Sequence, residues 1–250
     1  MTSNRFFINK NSLHSGTVLL QGKEHRHLSR VARIKPKEKI WLFDELGTNY
    51  IARVEKIDKD ITQLSILKIM EKEEPRVKIT LAQALLKSKK MDMILQKSTE
   101  LGVKTIIPVI TARTVVKING KIENKMERWK KITQSATKQS QRSHLPRILS
   151  PVHLKDLIKR RNEEKKLLLS ENKGKYLKEI LIQSSGSEIQ KEELPFSVLV
   201  LVGPEGGWEE EEEEYILNNG FEAVTLGRQI LRAETAALCS LALISHFWNI

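Results

Sequence analysis

The chain has 250 residues, room for one large or two modest domains, and its 40% hydrophobic content can supply a real core. Its net charge of +12, from 43 basic against 31 acidic residues, favours a polyanionic partner. No apolar run approaches the roughly 18 residues of a membrane span, so nucleic acid is the first candidate. The start, MTSNRFFINKNS, lacks the apolar region of a signal peptide, and a cytoplasmic protein is expected. One cysteine, Cys239, excludes an internal disulfide, and its setting among Ala and Leu predicts burial.

Strand-like pieces at 5–8, 17–20, 39–43, 50–56 and 61–69 are separated by turn residues that include Gly16, Gly22, Pro36 and Gly47. Many short strands with little helix predict a small barrel over residues 1–72. The exception is EHRHLSRVARI, residues 24–34, a short helix with Leu28, Val31 and Ala32 on one side. His25, Arg26, His27, Arg30 and Arg33 occupy its other faces. Histidines at this spacing, without cysteine or acidic ligands, do not make a metal site, and none is expected in the chain. Either a solvated basic face or a cationic patch for RNA backbone fits them.

The charged run EKEEP, residues 71–75, reads as a linker, and a second domain is expected over 73–250. There the pattern changes to strands at 77–82, 104–110, 147–149 and 166–170, alternating with helices at 88–101, 123–141, from 153 and at 175–182. A polar loop is expected at 183–193. This alternation predicts an α/β fold with a mostly parallel sheet. Met91, Ile94, Leu95, Ser98 and Leu101 form the inner stripe of one helix, and Met126, Trp129, Ile132 and Ala136 that of the next. Lys87, Lys89, Lys90 and Lys97 are left for the surface or for RNA.

The stretch 196–237 carries the chemistry. An apolar strand, 196–202, empties into Gly203-Pro204-Glu205-Gly206-Gly207, and a helix with six glutamates at its start follows. A second strand, 222–226, ends in a second turn, 227–232, before an apolar helix from Glu234. Two strand ends with glycine-bearing turns make a cleft at a sheet edge, where such sheets hold ligands. The first turn is neither a Walker A loop nor a G-x-G-x-x-G fingerprint. Six glutamates also make it a poor phosphate cradle.

LVGPEGGW followed by LGRQILRAETA resembles the C-terminal signature of the SPOUT methyltransferases. More narrowly, it is similar to the RsmE family, which methylates N3 of a uridine in small-subunit (16S) ribosomal RNA. LKSKKMDMILQKSTELGV (86–103) and ERWKKITQSATKQSQR (127–142) resemble that family's other motifs, in the same order. The second departs from it at TKQSQR, where family members commonly carry an acidic residue before Gln and a glycine before the final Arg.

The resemblance implies an N-terminal PUA-like β-barrel domain, then a SPOUT domain whose C-terminal trefoil knot threads 227–237 through the loop at 203–207. It implies S-adenosylmethionine as cofactor, the ribosomal RNA of the small subunit as partner, and a homodimer built on the knot helices. By strand-end position and motif match, the expected cofactor wall is Leu169, Ser170, Glu171, Val202, Gly203, Pro204, Glu205, Gly206, Leu226, Gly227, Ile230, Leu231, Arg232 and Ala233. Arg5, Arg26, His27, Arg30, Arg33, Lys87, Lys90, Gln139 and Arg142 are the expected RNA contacts.

A sulfonium methyl arrives activated, so positioning dominates and neither metal nor covalent intermediate is required. Cys239, inside an apolar helix, is badly placed to attack a pyrimidine ring. At N3 the imide proton must leave, taken by a base or helped by a cation that stabilises the anion. Arg232 and Glu234 are the catalytic candidates; Glu234 can equally cap its helix. The alternatives are a SPOUT enzyme for another RNA position and a non-catalytic basic RNA-binding or ribosome-assembly factor.

Overall fold

The computed structural model describes residues 5–70, 75–116, 122–142, 144–171, 173–185 and 195–248. The chain forms two compact units, one of Met1–Glu74 with Gln134–Leu145 and one of Pro75–Thr133 with Pro146–Ile250.

In the first unit, β1 (Arg5–Phe7), β2 (Leu13–His14), β3 (Thr17–Gln21), β4 (Lys39–Phe43), β5 (Asn49–Ile57) and β6 (Ile61–Met70) form one sheet in the order β1-β4-β5-β6-β3-β2. All pairings are antiparallel except β1 with β4. Among the described residues the hydrogen-bonded path runs from β1 to β2, and the expected small barrel is present as a curled sheet, a half-barrel. Register shifts in the β5–β6 ladder bend it. Alternate residues of each strand, among them Val18, Leu20, Ile40, Leu42, Ala52, Val54 and Leu64, build its core.

The helix expected at 24–34 is a short α1 (Gly22–Arg26) continued by a π-helical turn, His27–Val31. The wider turn rotates the side chains that follow it. Leu28 and Ile34 are buried while Val31, expected inside, is 70% exposed. His25 leaves the cationic face altogether: it is buried, with Nδ1 2.8 Å from Thr62 Oγ1 and Nε2 3.1 Å from the Lys59 carbonyl.

A tight turn between β4 and β5 is held by buried Asp44, whose Oδ1 accepts from the Leu46 and Thr48 amides at 2.9 and 2.8 Å. Its Oδ2 accepts from the Tyr50 hydroxyl at 2.8 Å. Burial, and then the bond to Asp44, push the Tyr50 phenol from 10.0 up to about 12. The folded state therefore holds this proton more tightly than the unfolded chain does. That stabilisation is complete below pH 10 and is lost as pH rises through about 12. Urea titrations across this range are expected to show the loss, and Tyr50→Phe to remove it while lowering stability at neutral pH by about 1 kcal/mol.

The second unit contains β7 (Lys78–Ala84), α2 (Ser88–Glu100), β8 (Thr105–Ile110), most of α3 (Ile122–Gln139), β9 (Arg147–Ile148), β10 (Val152–His153), α4 (Leu154–Arg160) and β11 (Lys165–Leu169). β12 (Lys175–Tyr176), α5 (Leu177–Ser185), β13 (Ser197–Val202), α6 (Glu210–Asn218), β14 (Glu222–Thr225) and α7 (Ala233–Phe247) follow. The sheet runs β10-β8-β7-β13-β11-β14-β12, with β9 also on β8, and every pairing is parallel. Helices cover both faces, so its strands are buried on both sides. In β13, Val198, Val200 and Val202 pack with α2, α5 and α7, while Leu199 and Leu201 pack with α4 and α6. Each such side chain contributes about 1.5–3 kcal/mol relative to exposure.

The helix expected from residue 175 begins two residues later, because Lys175 and Tyr176 pair with Val224 and Thr225. The loop expected at 183–193 starts after α5, which runs to Ser185. Its remainder, like residues 71–74 of the linker, lies outside the described residues. Cys239 is exposed on α7, not buried. That helix is apolar on more faces than the sheet covers, and composition alone cannot say which face is left over.

Candidate active site

The strand order reverses about β11: the chain passes from β11 to β13 on one side of it and then crosses to β14 on the other. Ligands in open α/β sheets sit outside the carboxyl ends of strands at such a point. Here the ends of β11, β13 and β14 surround a cleft of about 300 Å³. β11 lies between the other two strands. Leu169, Ser170 and Glu171, at the end of β11, therefore form the middle of the wall.

Of the expected cofactor wall, Leu169, Ser170, Glu171, Val202, Gly203, Pro204, Glu205, Leu226, Ile230, Leu231, Arg232 and Ala233 line this cleft. Gly206 and Gly227 do not; they shape the turns behind it. The Gly206 carbonyl accepts from Arg113 Nη1 at 2.8 Å, and the Gly227 carbonyl from the Thr225 hydroxyl at 3.0 Å. Lys90, Trp208, Thr225 and Gln229 join the lining unforeseen. A Trp directly after a glycine turn was a readable signal. The part Lys90 plays was not, since it comes from a helix far away in sequence.

Two arrangements fix the walls. Trp208 stacks against Gly203 so closely that a Cβ there would lie 3.0 Å from the indole, and its Nε1–H donates to the Leu169 carbonyl at 3.1 Å. This joins the end of β11 to the turn after β13. The glutamate run has specific tasks beyond favouring a helix start. Glu209 and Glu212 form a reciprocal cap on α6, and Glu212 Oε1 also accepts from the Ala112 amide at 2.8 Å. Glu213 accepts from the Ser170 hydroxyl at 2.6 Å and pairs with Lys173 Nζ at 3.2 Å, raising the Lys173 ammonium above its ordinary value.

Of the two catalytic candidates, Arg232 is exposed in the cleft wall and Glu234 is buried just inside α7. The RNA set divides. Arg26, His27, Arg30 and Arg33 are exposed together, as are Lys87 and Gln139 at their own places. Arg5 is not a surface cation: it is 8% exposed, lies 5.0 Å over the Phe43 ring, and donates to Asn49 Oδ1 and to the Gln141 carbonyl at 2.5 Å. Arg142 is partly buried, and burial pulls its guanidinium down to about 10. Lys90 is bound by Glu205 of the cleft lining and by Glu234 at the start of α7.

S-adenosylmethionine fits the residues present. The volume is at the lower end of ligand cavities. Apolar surface from Leu169, Val202, Leu226 and 69% exposed Ile230 suits an adenosine group, and Lys90, Glu205 and Arg232 suit the charged ends of an amino acid. No group of three or more metal-ligating side chains occurs among the described residues.

Fold and cleft together define an RNA methyltransferase of the SPOUT type, preceded by a PUA domain. Residues 72–245 match the RNA methyltransferase domain family, and residues 20–67 the RNA methyltransferase PUA domain. The chain is 33% identical over 233 residues to ribosomal RNA small subunit methyltransferase E of Bacillus subtilis, covering 92% of this chain and 90% of that one. It is 36% identical to the enzyme of the same name from Neisseria gonorrhoeae, solved bound to S-adenosyl methionine, with a TM-score of 0.83 over 98% of both chains. A Legionella pneumophila methyltransferase, solved with the bound cofactor SAM, is 30% identical with a TM-score of 0.84 over 98% of both chains. The chain belongs to the ribosomal RNA small subunit methyltransferase E family.

Proposed function

We propose that the chain transfers the methyl group of S-adenosylmethionine to N3 of a uridine in small-subunit ribosomal RNA, in the cytoplasm and as a homodimer. The observation that carries this reading is the cleft at the ends of β11, β13 and β14. Twelve of the residues expected to hold the cofactor line it, and family members were crystallised with that cofactor. When bound, the cofactor supplies an activated methyl. The chain's own residues then bind it between the two turns, orient the base and receive the imide proton, with Arg232 stabilising charge on an imide oxygen. The glycine turn at 203–207 and the segment 227–237 meet at one cleft, as a knot threading one past the other requires. The 1–72 and 73–250 domains divide the work between RNA capture and chemistry. Exposed Arg26, His27, Arg30 and Arg33 support the first role, and the half-exposed apolar residues of α7 support dimerisation.

The test is to incubate the protein with labelled S-adenosylmethionine and small subunits from cells lacking the gene, then map the labelled nucleoside. Label on N3 of one uridine is expected. Label on another atom moves the enzyme within its superfamily. Cofactor binding with no label on particles or free RNA ends the RNA methylation reading.

A further inference from the structure

Lys90, in the first turn of α2, reaches two carboxylates from two other elements. Its Nζ lies 2.6 Å from Glu205 Oε1, in the turn after β13, and 3.3 Å from Glu234 Oε1, at the start of α7. The hydrogen bond to Glu205, with that to Glu234, raises the ammonium above its ordinary value, so Lys90 stays charged. Glu234 is 9% exposed, and its second oxygen, Oε2, is buried with no hydrogen-bond partner among the described residues. Helix capping does not occupy it: the residue preceding α7 is Arg232, and no side chain caps that end. A buried carboxylate oxygen with no donor is costly, and such an atom beside a cleft wall marks a place for a donor not supplied by the chain.

We propose that Glu234 Oε2 accepts the imide proton of the target uridine, and that Lys90 is the positioning residue that fixes this carboxylate through Oε1. The assignment rests on the function proposed above. In the step, the N3–H bond breaks and the proton passes to Oε2. The nitrogen's electron pair forms the bond to the methyl carbon, while the pair of the carbon–sulfur bond returns to sulfur, leaving a neutral thioether. The charged groups that line the cleft are Lys90, Glu171, Glu205 and exposed Arg232, and Glu234 follows Ala233 of that lining in sequence. Glu205 is also clamped through one oxygen, but its side chain is 31% exposed, so water can satisfy the other; in Glu234 the unpartnered oxygen is buried. Lys90, expected from sequence to grip RNA, is thereby assigned to the chemistry.

The full-length Glu234→Gln variant is the test, assayed on small subunits. Methyl transfer is expected to fall about a hundredfold or more near neutral pH. The calorimetric Kd for S-adenosylmethionine should stay within about threefold and the thermal midpoint should not fall, since the amide relieves a buried carboxylate oxygen that has no donor. The variant's rate should climb about tenfold per pH unit toward the imide's own ionisation, since an anion formed by solvent needs no acceptor. Lys90→Met should lower kcat with little change in KM for RNA, and Lys90→Arg should restore part of it. A raised KM with altered salt dependence in Lys90→Met would return Lys90 to phosphate binding and overturn the positioning role. Transfer by Glu234→Gln at the wild-type rate, or a loss explained by weakened cofactor binding, overturns the acceptor. If Glu234→Gln does not fold, Glu234→Ala with added formate replaces it. Rescue by formate supports the acceptor, and no rescue or a second failure to fold assigns Glu234 to structure. Wild-type label on a ring carbon or ribose oxygen ends the proposed function. Label on N3 with a fully active Glu234→Gln ends only this assignment.

Discussion

Gly174→Ala is expected to lower the stability of the methyltransferase unit by at least about 3 kcal/mol, or to prevent its folding. Gly174 has φ +102, a region that L side chains rarely adopt. A Cβ there would lie 2.1 Å from the Ala223 carbonyl oxygen and 2.3 Å from its carbon. Both are backbone atoms of β14, so no side chain can move aside; β12 must leave β14 instead. The turn being displaced follows the Leu169–Glu171 wall, and β14 leads into the second turn of the cleft, so cofactor affinity should fall with stability. Gly220→Ala is the control in the same unit. Its φ is +81, but the nearest atom to a Cβ is the flexible Lys166 Nζ at 3.4 Å. Only the backbone penalty of about 1–2 kcal/mol is expected there. Urea denaturation of both variants checks the difference, and equal losses would refute the steric account.

Gly203→Val is expected to weaken S-adenosylmethionine binding at least tenfold, while costing about 1–3 kcal/mol of stability. A single Cβ at this position already meets the Trp208 indole at 3.0 Å, closer than ordinary contact. Two further methyl groups force the ring away and break its bond to the Leu169 carbonyl. The ends of β11 and β13 then lose the link that sets the width of the cleft. Calorimetry on the variant reads the affinity directly. Trp208→Phe separates the parts, since it keeps an aromatic wall but deletes the indole N–H. A smaller loss in that variant, about threefold, is expected.

The parallel sheet was legible because buried strands leave near-continuous apolar runs, as Val198 to Val202 do, and glycines mark the strand ends. The position of β11 between β13 and β14 was not, because strand order depends on pairings that leave no local pattern. The π turn at His27–Val31 escaped for a related reason. A helical stripe read at 3.6 residues per turn places Val31 inside, and one wider turn puts it in water. Ala, Leu and Cys around all of α7 read as burial, yet Cys239 is exposed. For the cleft, motif and strand-end position located most of the lining. They did not reveal that Lys90 bridges Glu205 and Glu234, a contact among three elements distant in sequence. Arg5 looked like any cation on a basic protein, and only the tertiary structure shows it enclosed by Phe43, Asn49 and the Gln141 carbonyl.

The first unit takes in Gln134–Leu145, a segment made well after its sheet. Arg5 waits for the Gln141 carbonyl, Glu24 for its ion pair with Lys138, and the glycine at 47 for the His144 ring that packs against it. During synthesis the amino-terminal sheet therefore emerges without a set of its own contacts, and gains them only once β7, α2, β8 and α3 have also left the ribosome. Vectorial folding is thus biased toward a late locking of the amino-terminal unit. A nascent chain arrested before residue 134 should be more sensitive to protease in that unit than one arrested beyond 145.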